Sequence, residues 1–551
     1  MQSKAVTGKG ANTPCPLSEL FYLIYFSILL FSKGIGLIDG QMVYYALTGI
    51  GLFFLLLKIL STDHSVFEYL WMILLMLLGL VVYRVTGQKG LLLSFTVLVG
   101  MKGVSTRRVF RAGIVIWSVC FAAMWILSMT GVIHEQVWMH DKHGIGLALC
   151  HSMGYSHSNV MHVGFLILTM MICCLYGRGD QAHENGTENP EERKIVKKNY
   201  VLLTLFLLVL NVVVFFYSMS YTGFLACGIY LILNLILVLR GKLSGFEKIL
   251  LQLIFPVCVL FICVGPLVIK GKLFDLINKA LTTRYYLSYY YLTQQPATLF
   301  GQRYNLDYHL TMDSSYIYLL RQYGVIAFVL VMVLYFGLIH DEVRNDRRSE
   351  LALTLGTCVA GTTEQFLFNT AYKNLSLIFA GAYLFRCSET AEQHLPAVFR
   401  KHRAFLPGRD RDVSFVLTDY VAHGLRKLFF GGKVKIRAEI AFVVLILGIF
   451  GAVLVHPRTS ALYIDEDVNE LSDRQAYYFT EEEVENKRAE GDLFYYYTSP
   501  SDPMYLYEGS TANLEYARRL LFVGLVCGKA AYVIGSAVTA GLDRKKRGVK
   551  G

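Results

Sequence analysis

Charge is scarce in this sequence. Of its 551 residues, 17% are Asp, Glu, Lys or Arg, where a soluble domain carries about 25%. The charge falls in blocks, and the blocks are separated by apolar runs of roughly 20 residues, the length that crosses a bilayer as an α-helix. A large water-soluble enzyme is thereby excluded. Also missing is the short apolar–polar alternation of a transmembrane β-barrel, since runs such as LLTLFLLVLNVVVFFY are continuous. There is no CxxC pair and no His/Cys spacing suited to a metal, so neither a metal nor another cofactor is expected. Most of the 11 cysteines (Cys120, Cys173, Cys174, Cys227, Cys258, Cys263, Cys358 and Cys527 among them) lie in apolar runs and read as small core residues. No cleavage site follows the first apolar run, which is expected to be an anchor rather than a removed signal peptide. No convincing internal repeat is present.

What is present is apolar and aromatic: 54% hydrophobic residues and 14% Phe, Trp and Tyr. The expected fold class is all-α, a polytopic transmembrane helical bundle with about 12 core spans, 2 further C-terminal spans and an extracytoplasmic helical loop. The candidate spans are 17–38, 41–60, 66–85, 88–102, 109–133, 158–177, 198–217, 219–239, 246–269, 315–339, 350–367, 370–386, 438–456 and 517–541. The fourth is short enough to be a tilted or partial helix.

The net charge of +11 is no nucleic-acid signal here, because Lys and Arg concentrate in the cytosolic loops of membrane proteins. With the N-terminus in the cytosol, the clusters Lys102/Arg107/Arg108/Arg111, Arg193/Lys194/Lys197/Lys198, Arg240/Lys242/Lys248, Arg344/Arg347/Arg348 and Arg544/Lys545/Lys546/Arg547 all fall inside. Both termini are then cytosolic in a multi-pass protein of the cell membrane, and loops 134–157, 270–314 and 457–516 face outward.

Three parts follow from this layout. Residues 1–390 form the main transmembrane domain with loop 270–314. Residues 391–437 form a basic cytosolic linker, in which Val413, Val416, Leu417, Tyr420, Val421, Leu425 and Leu428 recur at helical spacing. That stripe suits either a helix on the anionic inner leaflet or an amphipathic helix packed on the bundle. Residues 438–551 form a two-span module whose outward loop is acidic: 456–516 carries 14 Asp/Glu and 4 Lys/Arg, so 4 − 14 = −10. Within it, Thr480 and Glu483 fit a capping box, Phe479 and Val484 fit a hydrophobic staple, and a short helix is expected at 481–490. Asp465, Glu466 and Asp467 read as a solvated acidic face, because the spacing of a calcium loop is lacking.

The polar residues that interrupt the apolar pattern concentrate at 284–324. Leu273, Leu276, Ile277, Ala280 and Leu281 make a helical stripe that Arg284 continues. An arginine on an apolar face needs an anionic partner. That partner is a carboxylate of the protein or the diphosphate of a lipid, which the planar guanidinium fork suits; the third reading is snorkelling to headgroups. Tyr285, Tyr286, Tyr289, Tyr290 and Tyr291 could stack on sugar rings or belong to an interfacial aromatic belt. Gly301 supplies a backbone bend beside Arg303. Asp313 sits where a helix N-cap belongs and is equally a candidate general base, with His309 as its competitor. Arg321 lies two turns into the next span and Glu364 within another, where ionised groups are costly. A separate patch, His151-Ser-Met-Gly-Tyr-Ser-His157-Ser-Asn159 followed by His162, leads into a span.

HSMGYSHSNVMHVGFLIL carries a small–Gly–aromatic–x–His–x–Asn segment entering a span, LFGQRYNLDYHLTMDSSYIYLLRQYGVIAFVL a Phe-Gly turn followed by Asp-x-x-Tyr and a Tyr-Gly-Val helix, and SMSYTGFLACGIYLIL a Thr-Gly span. In order and spacing these resemble the bacterial O-antigen and capsular polysaccharide polymerase/ligase family, over roughly residues 17–390. The sequence departs from the family's pattern at Tyr221, where arginine is usual, and at Cys150 and His151, near which an arginine often stands. The resemblance implies a membrane glycosyltransferase that joins undecaprenyl-diphosphate-linked oligosaccharide repeat units at the outer face. It implies Asp313 or His309 as base and Arg284 and Arg303 on the leaving diphosphate. Tyr286, Tyr290, His151, His157, Asn159, Arg321 and Glu364 are then further substrate contacts. Membrane lipids are expected partners, as are a chain-length regulator or flippase of the same pathway. The residues 438–551 lie outside the resemblance and are expected to be an accessory module. A lipid-linked oligosaccharide flippase, a glycan ligase with another acceptor and a scaffold of an assembly complex are the competing functions.

Overall fold

A computed structural model describes residues 15–129, 132–133, 135, 137–142, 146–184, 190–240, 243–304, 311–367, 374–406, 412–413, 461–464, 476–479 and 505–508, together with 482, 486, 489, 518, 520–522, 524, 528, 530 and 532. The helices in chain order are α1 (Leu17–Gly34), α2 (Met42–Ser61), α3 (Val66–Thr86), α4 (Gly90–Val99), α5 (Thr106–Met129), α6 (Ser158–Glu184), α7 (Pro190–Ser218), α8 (Tyr221–Leu239), α9 (Gly245–Cys263), α10 (Gly265–Val268), α11 (Lys272–Ala280), α12 (Arg284–Gln294), α13 (Ser315–Ile317), α14 (Val325–Arg344), α15 (Arg348–Ala360) and α16 (Ser376–Glu392). The chain is a polytopic helical protein. Among the described residues nine helices are long and apolar enough to cross a membrane: α1, α2, α3, α5, the 158–177 part of α6, the 197–218 part of α7, α8, α9 and α14.

Among the described residues the expected total of about 14 spans is not confirmed, and burial explains three of the differences. The segment expected at 88–102 is the 10-residue α4, the one at 350–367 is the 13-residue α15, and the one at 370–386 is the 17-residue α16. Each is shorter than the roughly 20 residues that a span needs. Their apolar character serves protein neighbours instead: nine of the ten α4 residues are buried, as are eleven of the thirteen in α15. Small residues allow the close packing. A Cβ on Gly381 of α16 would stand 2.8 Å from the Leu98 carbonyl oxygen, and one on Gly356 of α15 would stand 2.8 Å from the Tyr230 ring. Buried polar groups find partners there too, as Tyr25 and Thr96 share a hydrogen bond of 2.6 Å. The spans expected at 438–456 and 517–541 fall wholly or largely outside the described residues, as does the amphipathic stripe from Val413 to Leu428 beyond the backbone of Val413.

Local sequence sets the helix ends. Ser65 with Glu68 and Ser244 with Glu247 form capping boxes at the starts of α3 and α9, each satisfying two otherwise unpaired amides. Gly87 ends α3 in the left-handed conformation (φ 76).

Contacts divide the chain into two compact units, cut differently from the sequence-based parts. The first comprises Met1–Ala123, His162–Val213 and Tyr221–Phe415; the second comprises Met124–Met161, Val214–Ser220 and Val416–Gly551. Within the first unit, part of the expected linker is a strap. His402 and Arg403 pair antiparallel with His64 and Ser65, and Asp412 and Val413 pair with Pro16 and Cys15. His64 and Ser65 also belong to a buried polar cluster in which Glu68 binds Lys102 and His64, and Ser65 donates to Glu392, whose carboxylate lies 3.5 Å from His402 Nε2.

Within the second unit, an antiparallel hairpin (Val137–Lys142 with Gly146–His151) buries Ala148 and Cys150 against Met219 and Phe215. Arg518, from the expected accessory module, is buried here. Its guanidinium donates to the Phe216 carbonyl at 2.7 Å and the Leu149 carbonyl at 2.9 Å, and Tyr217 donates to the Arg518 carbonyl at 2.5 Å. Arg518 is thus a structural part of this unit. The unit also holds a three-stranded sheet (Ala461–Ile464, Ala476–Phe479, Tyr505–Glu508) that the acidic composition did not announce. Glu482, Asn486 and Ala489, the described positions of the helix expected at 481–490, are helical and exposed.

In the first unit, the chain between α12 and α14 turns on two glycines. Gly301 (φ 82) and Gly324 (φ 92) face each other. A Cβ on Gly301 would collide with the Gln322 carbonyl, and one on Gly324 with the Leu299 carbonyl and the Gly301 nitrogen. Val325 N–H donates to the Thr298 carbonyl at 2.9 Å and Ile326 N–H to the Leu299 carbonyl at 3.2 Å, so backbone lies directly on backbone. The span expected at 315–339 is accordingly broken: three residues of α13, a π-helical turn from Tyr318 to Tyr323, the Gly324 break, then α14. Gly301→Ala and Gly324→Ala should each destabilise the protein by more than about 1 kcal/mol, from the positive φ alone, and lower the thermal unfolding midpoint in detergent. Gly40→Ala, with an open neighbourhood, is the control for the φ contribution; equal midpoint losses in all three variants would refute the steric account.

Candidate functional site

Arg284 is the first residue of α12. Thr282 (φ 51) and Thr283 (φ 67) before it adopt left-handed conformations, which fold α12 back on α11. Thr283 makes no capping hydrogen bond; the Asn278 side chain of α11 instead accepts from the Tyr286 amide at 2.9 Å. The turn brings the Arg284 side chain against two stretches from elsewhere in the chain. Its Nε lies 2.8 Å from the Thr363 carbonyl oxygen and 3.2 Å from Asp313 Oδ2, and its Nη2 lies 3.4 Å from Glu364 Oε1. Thr222, near the start of α8, donates its hydroxyl to the same Glu364 oxygen at 3.0 Å.

The two carboxylates are held by the backbone around them. The Ser315 amide donates to the Gly361 carbonyl at 2.9 Å. The Ser315 hydroxyl donates to the Glu364 carbonyl at 2.7 Å and accepts from the Leu367 amide at 3.0 Å. Gln365 donates to the Met312 carbonyl. Segments 312–315 and 361–367 are therefore stitched together, with Asp313 on one and Glu364 on the other. Side-chain exposure is 11% for Arg284, 19% for Glu364 and 31% for Asp313, so the Asp313 carboxylate is the most open of the three.

Two expectations are corrected by this geometry. Asp313 is not the helix N-cap: that position is Ser314, and the Asp313 carboxylate turns to Arg284. Glu364 is not inside a helical span, because α15 ends at Ala360 and Glu364 lies in the turns that follow. For Arg284, the structure supplies protein carboxylates as anionic partners, the first of the three readings left open by the sequence. With all three groups ionised the cluster carries 1 − 2 = −1, a poor host for a second anion.

The other two arginines differ. Arg303 is exposed and has no ion pair among the described residues; its guanidinium rests at Gly87, where an added Cβ would stand 2.8 Å from Nη2. Arg321, in the π-helical turn, is buried. Its Nη2 donates to the Leu292 carbonyl at 3.0 Å and its Nε has no hydrogen-bond partner. Tyr304 lies within electrostatic range of Arg321. Tyr304 packs edge-on against Tyr291 at 5.7 Å, and Tyr291 against Tyr290 at 5.4 Å. The α12 tyrosines do not form one wall. Tyr285 is buried between Phe261 and Phe274, Tyr286 is exposed, and Tyr290 is half-buried.

The histidine patch belongs largely to the second unit. His151 Nδ1 lies 3.1 Å from Glu135 Oε2, and the Met153 amide donates to Glu135 Oε1 at 2.8 Å. His157 precedes α6, and its Nδ1 accepts from the Asn159 amide at 3.1 Å, so the ring caps the helix and fixes its proton on Nε2. His162, in the first unit, hydrogen-bonds Asn211 at 2.8 Å, and Asn211 donates to the Phe224 carbonyl at 3.1 Å. His157 and His162 thus have structural partners. His309, with Asp307, falls in 305–310 and Asn369 in 368–373, and both stretches lie outside the described residues, as do Asp465, Glu466 and Asp467. Nothing in the sequence singled out Glu135; Thr222 is the threonine of the quoted Thr-Gly span, beside Tyr221, and was given no role there.

Burial alone would raise the pKa of the Glu135 carboxyl, but the His151 ring, the Met153 amide and Arg518 together hold it below its ordinary value. No family model matches the chain, and no curated protein and no solved structure matches it.

Two outcomes are expected. Arg284→Ala leaves Asp313 and Glu364 without their cation and should cost about 1–3 kcal/mol, less than for a fully buried pair; adding Glu364→Gln should recover part of that loss, read as unfolding midpoints of the single and double variants. Strictly additive midpoints would remove the coupling. For Glu135, a depressed carboxyl stabilises fully above the ordinary value of 4.5 and loses that contribution as pH falls through the lower folded value. Between about pH 5 and pH 3, Glu135→Gln should therefore lose less stability than the parent protein, and an equal loss would count against the assignment.

Proposed function

We propose that the chain is a membrane glycosyltransferase that polymerises undecaprenyl-diphosphate-linked oligosaccharide repeat units at the outer face of the cell membrane, with both termini cytosolic. The observation that carries this reading is the partly open Asp313 carboxylate, fixed by Arg284 beside Glu364 in the connection between α9 and α14. The multi-pass architecture and the quoted motif resemblances support it.

In this reading Asp313 takes the proton from an acceptor sugar hydroxyl, within reach of hydrogen bonding to the same carboxylate. The hydroxyl oxygen forms a bond to the anomeric carbon of the donor chain. The bond from that carbon to the lipid diphosphate breaks, and its electron pair leaves with the phosphate oxygen. Arg284 holds Asp313 and Glu364 in place and is a positioning residue rather than the diphosphate ligand. The negative charge that develops on the diphosphate falls instead to Arg303, which is exposed and free of carboxylates among the described residues. Tyr290 remains a candidate sugar contact, and His309 a candidate second base.

Purified protein with a lipid-diphosphate repeat unit should yield a ladder of products without nucleotide sugar. Asp313→Asn should lower the ladder-forming rate by about 10²–10⁴-fold, while Arg303→Ala should raise the lipid substrate concentration needed for half-maximal rate. No ladder, with labelled substrate instead crossing a vesicle bilayer, would replace the polymerase by a flippase. Transfer to a different acceptor would make it a ligase.

A further inference from the structure

The helix α11 presents three distinct faces. Phe274 and Asn278 point to α12, where Phe274 meets Tyr285 at 5.3 Å and Tyr289 at 6.2 Å. At about 100° per residue, Leu273, Leu276, Ile277 and Ala280 share a second face. Lys272, Asp275 and Lys279 occupy the third. No residue of α11 is buried, and Leu273 and Leu276 are 55% and 65% exposed. An apolar face left open on a nine-residue amphipathic helix calls for an occupant.

We infer that α11 lies in the plane of the bilayer interface, its Leu273–Leu276 face in the acyl boundary and its lysines on anionic lipid headgroups. Two observations select this occupant. The chain just ahead of α11 also exposes apolar side chains, at Val264, Leu267 and Val268. The flanking charge is complementary to anionic lipid: Lys270, Lys272 and Lys279 against Asp275 give 3 − 1 = +2, all four are exposed, and none has an ion pair among the described residues. Long lysine side chains reach headgroups while their stems cover apolar surface. Because α11 is joined to α12 by the Thr282–Thr283 turn and the Asn278 bond, the interface fixes the depth at which Arg284 sits. The inference rests on the membrane architecture and not on the polymerase reading, and its test uses no catalytic activity.

The test places a benzophenone amino acid at position 276, or at 275 as the control, in the full chain. The protein is reconstituted in vesicles of three parts phosphatidylcholine to one part phosphatidylglycerol, and photo-adducts are identified by mass spectrometry. At 276 the expected product is a lipid adduct with phosphatidylglycerol enriched at least twofold over its share, and at 275 little lipid adduct forms. The combined Lys270→Gln, Lys272→Gln and Lys279→Gln variant should bring the phosphatidylglycerol fraction back to its share. A protein adduct at 276, from this chain or a second copy, would overturn the inference. So would equal labelling at 275 and 276, or no enrichment of the anionic lipid in the parent protein.

Discussion

A guanidinium set between two carboxylates holds the region around Asp313 together. Arg284 comes from a helix start, Asp313 from the segment ahead of α13, and Glu364 from the turns after α15, with Thr222 of α8 reaching the same oxygen as Arg284. An ionic group this close to apolar helices is costly unless its partners are in place. The pairing in turn depends on the backbone stitching by Ser315 and Gln365, without which the carboxylates would have no fixed position.

The same pairing sorts the arginines of this region by what they can still do. Arg284 faces protein oxygens through its Nε and Nη2. Arg303 is exposed at the surface, and Arg321 is buried and donates to the Leu292 carbonyl. The cluster of Arg284, Asp313 and Glu364 is net negative, whereas Arg303 is cationic and exposed, so the first suits the acceptance of a proton and the second an anion. In a single loop, the two tasks place opposite demands on the local potential.

The long apolar runs made the nine membrane-length helices legible, because length and hydropathy are properties of the run itself. The sequence could not separate a run that faces lipid from one that faces protein. Segments 88–102, 350–367 and 370–386 are apolar for the second reason, which appears only when Gly356 meets Tyr230 and Gly381 meets the Leu98 carbonyl. At the candidate site, Arg284, Asp313 and Glu364 each stood out singly as polar residues in costly places, and their convergence did not. Asp313 looked like a cap because it precedes SSYIYLL, yet the cap is one residue later and Arg284 competes for the carboxylate. Arg518 was illegible for a similar reason: an arginine near the start of an expected span suggests a headgroup anchor, while its partners are the carbonyls of Phe216 and Leu149.

The pairing of His402 and Arg403 with the start of α3 has a consequence for synthesis. His64 and Ser65 leave the ribosome early, but their strand partners His402 and Arg403 are made only after most of the other helices. At roughly 5–20 residues per second, the interval is on the order of tens of seconds. Throughout that time the start of α3 must sit in the membrane with Glu68 facing Lys102 and with Ser65 lacking Glu392. Entropy is a lesser obstacle than delay, since loop-closure cost grows only with the logarithm of loop length. The N-terminal helices are thus made first and locked last, and a nascent chain halted before residue 402 would carry them without those strand partners.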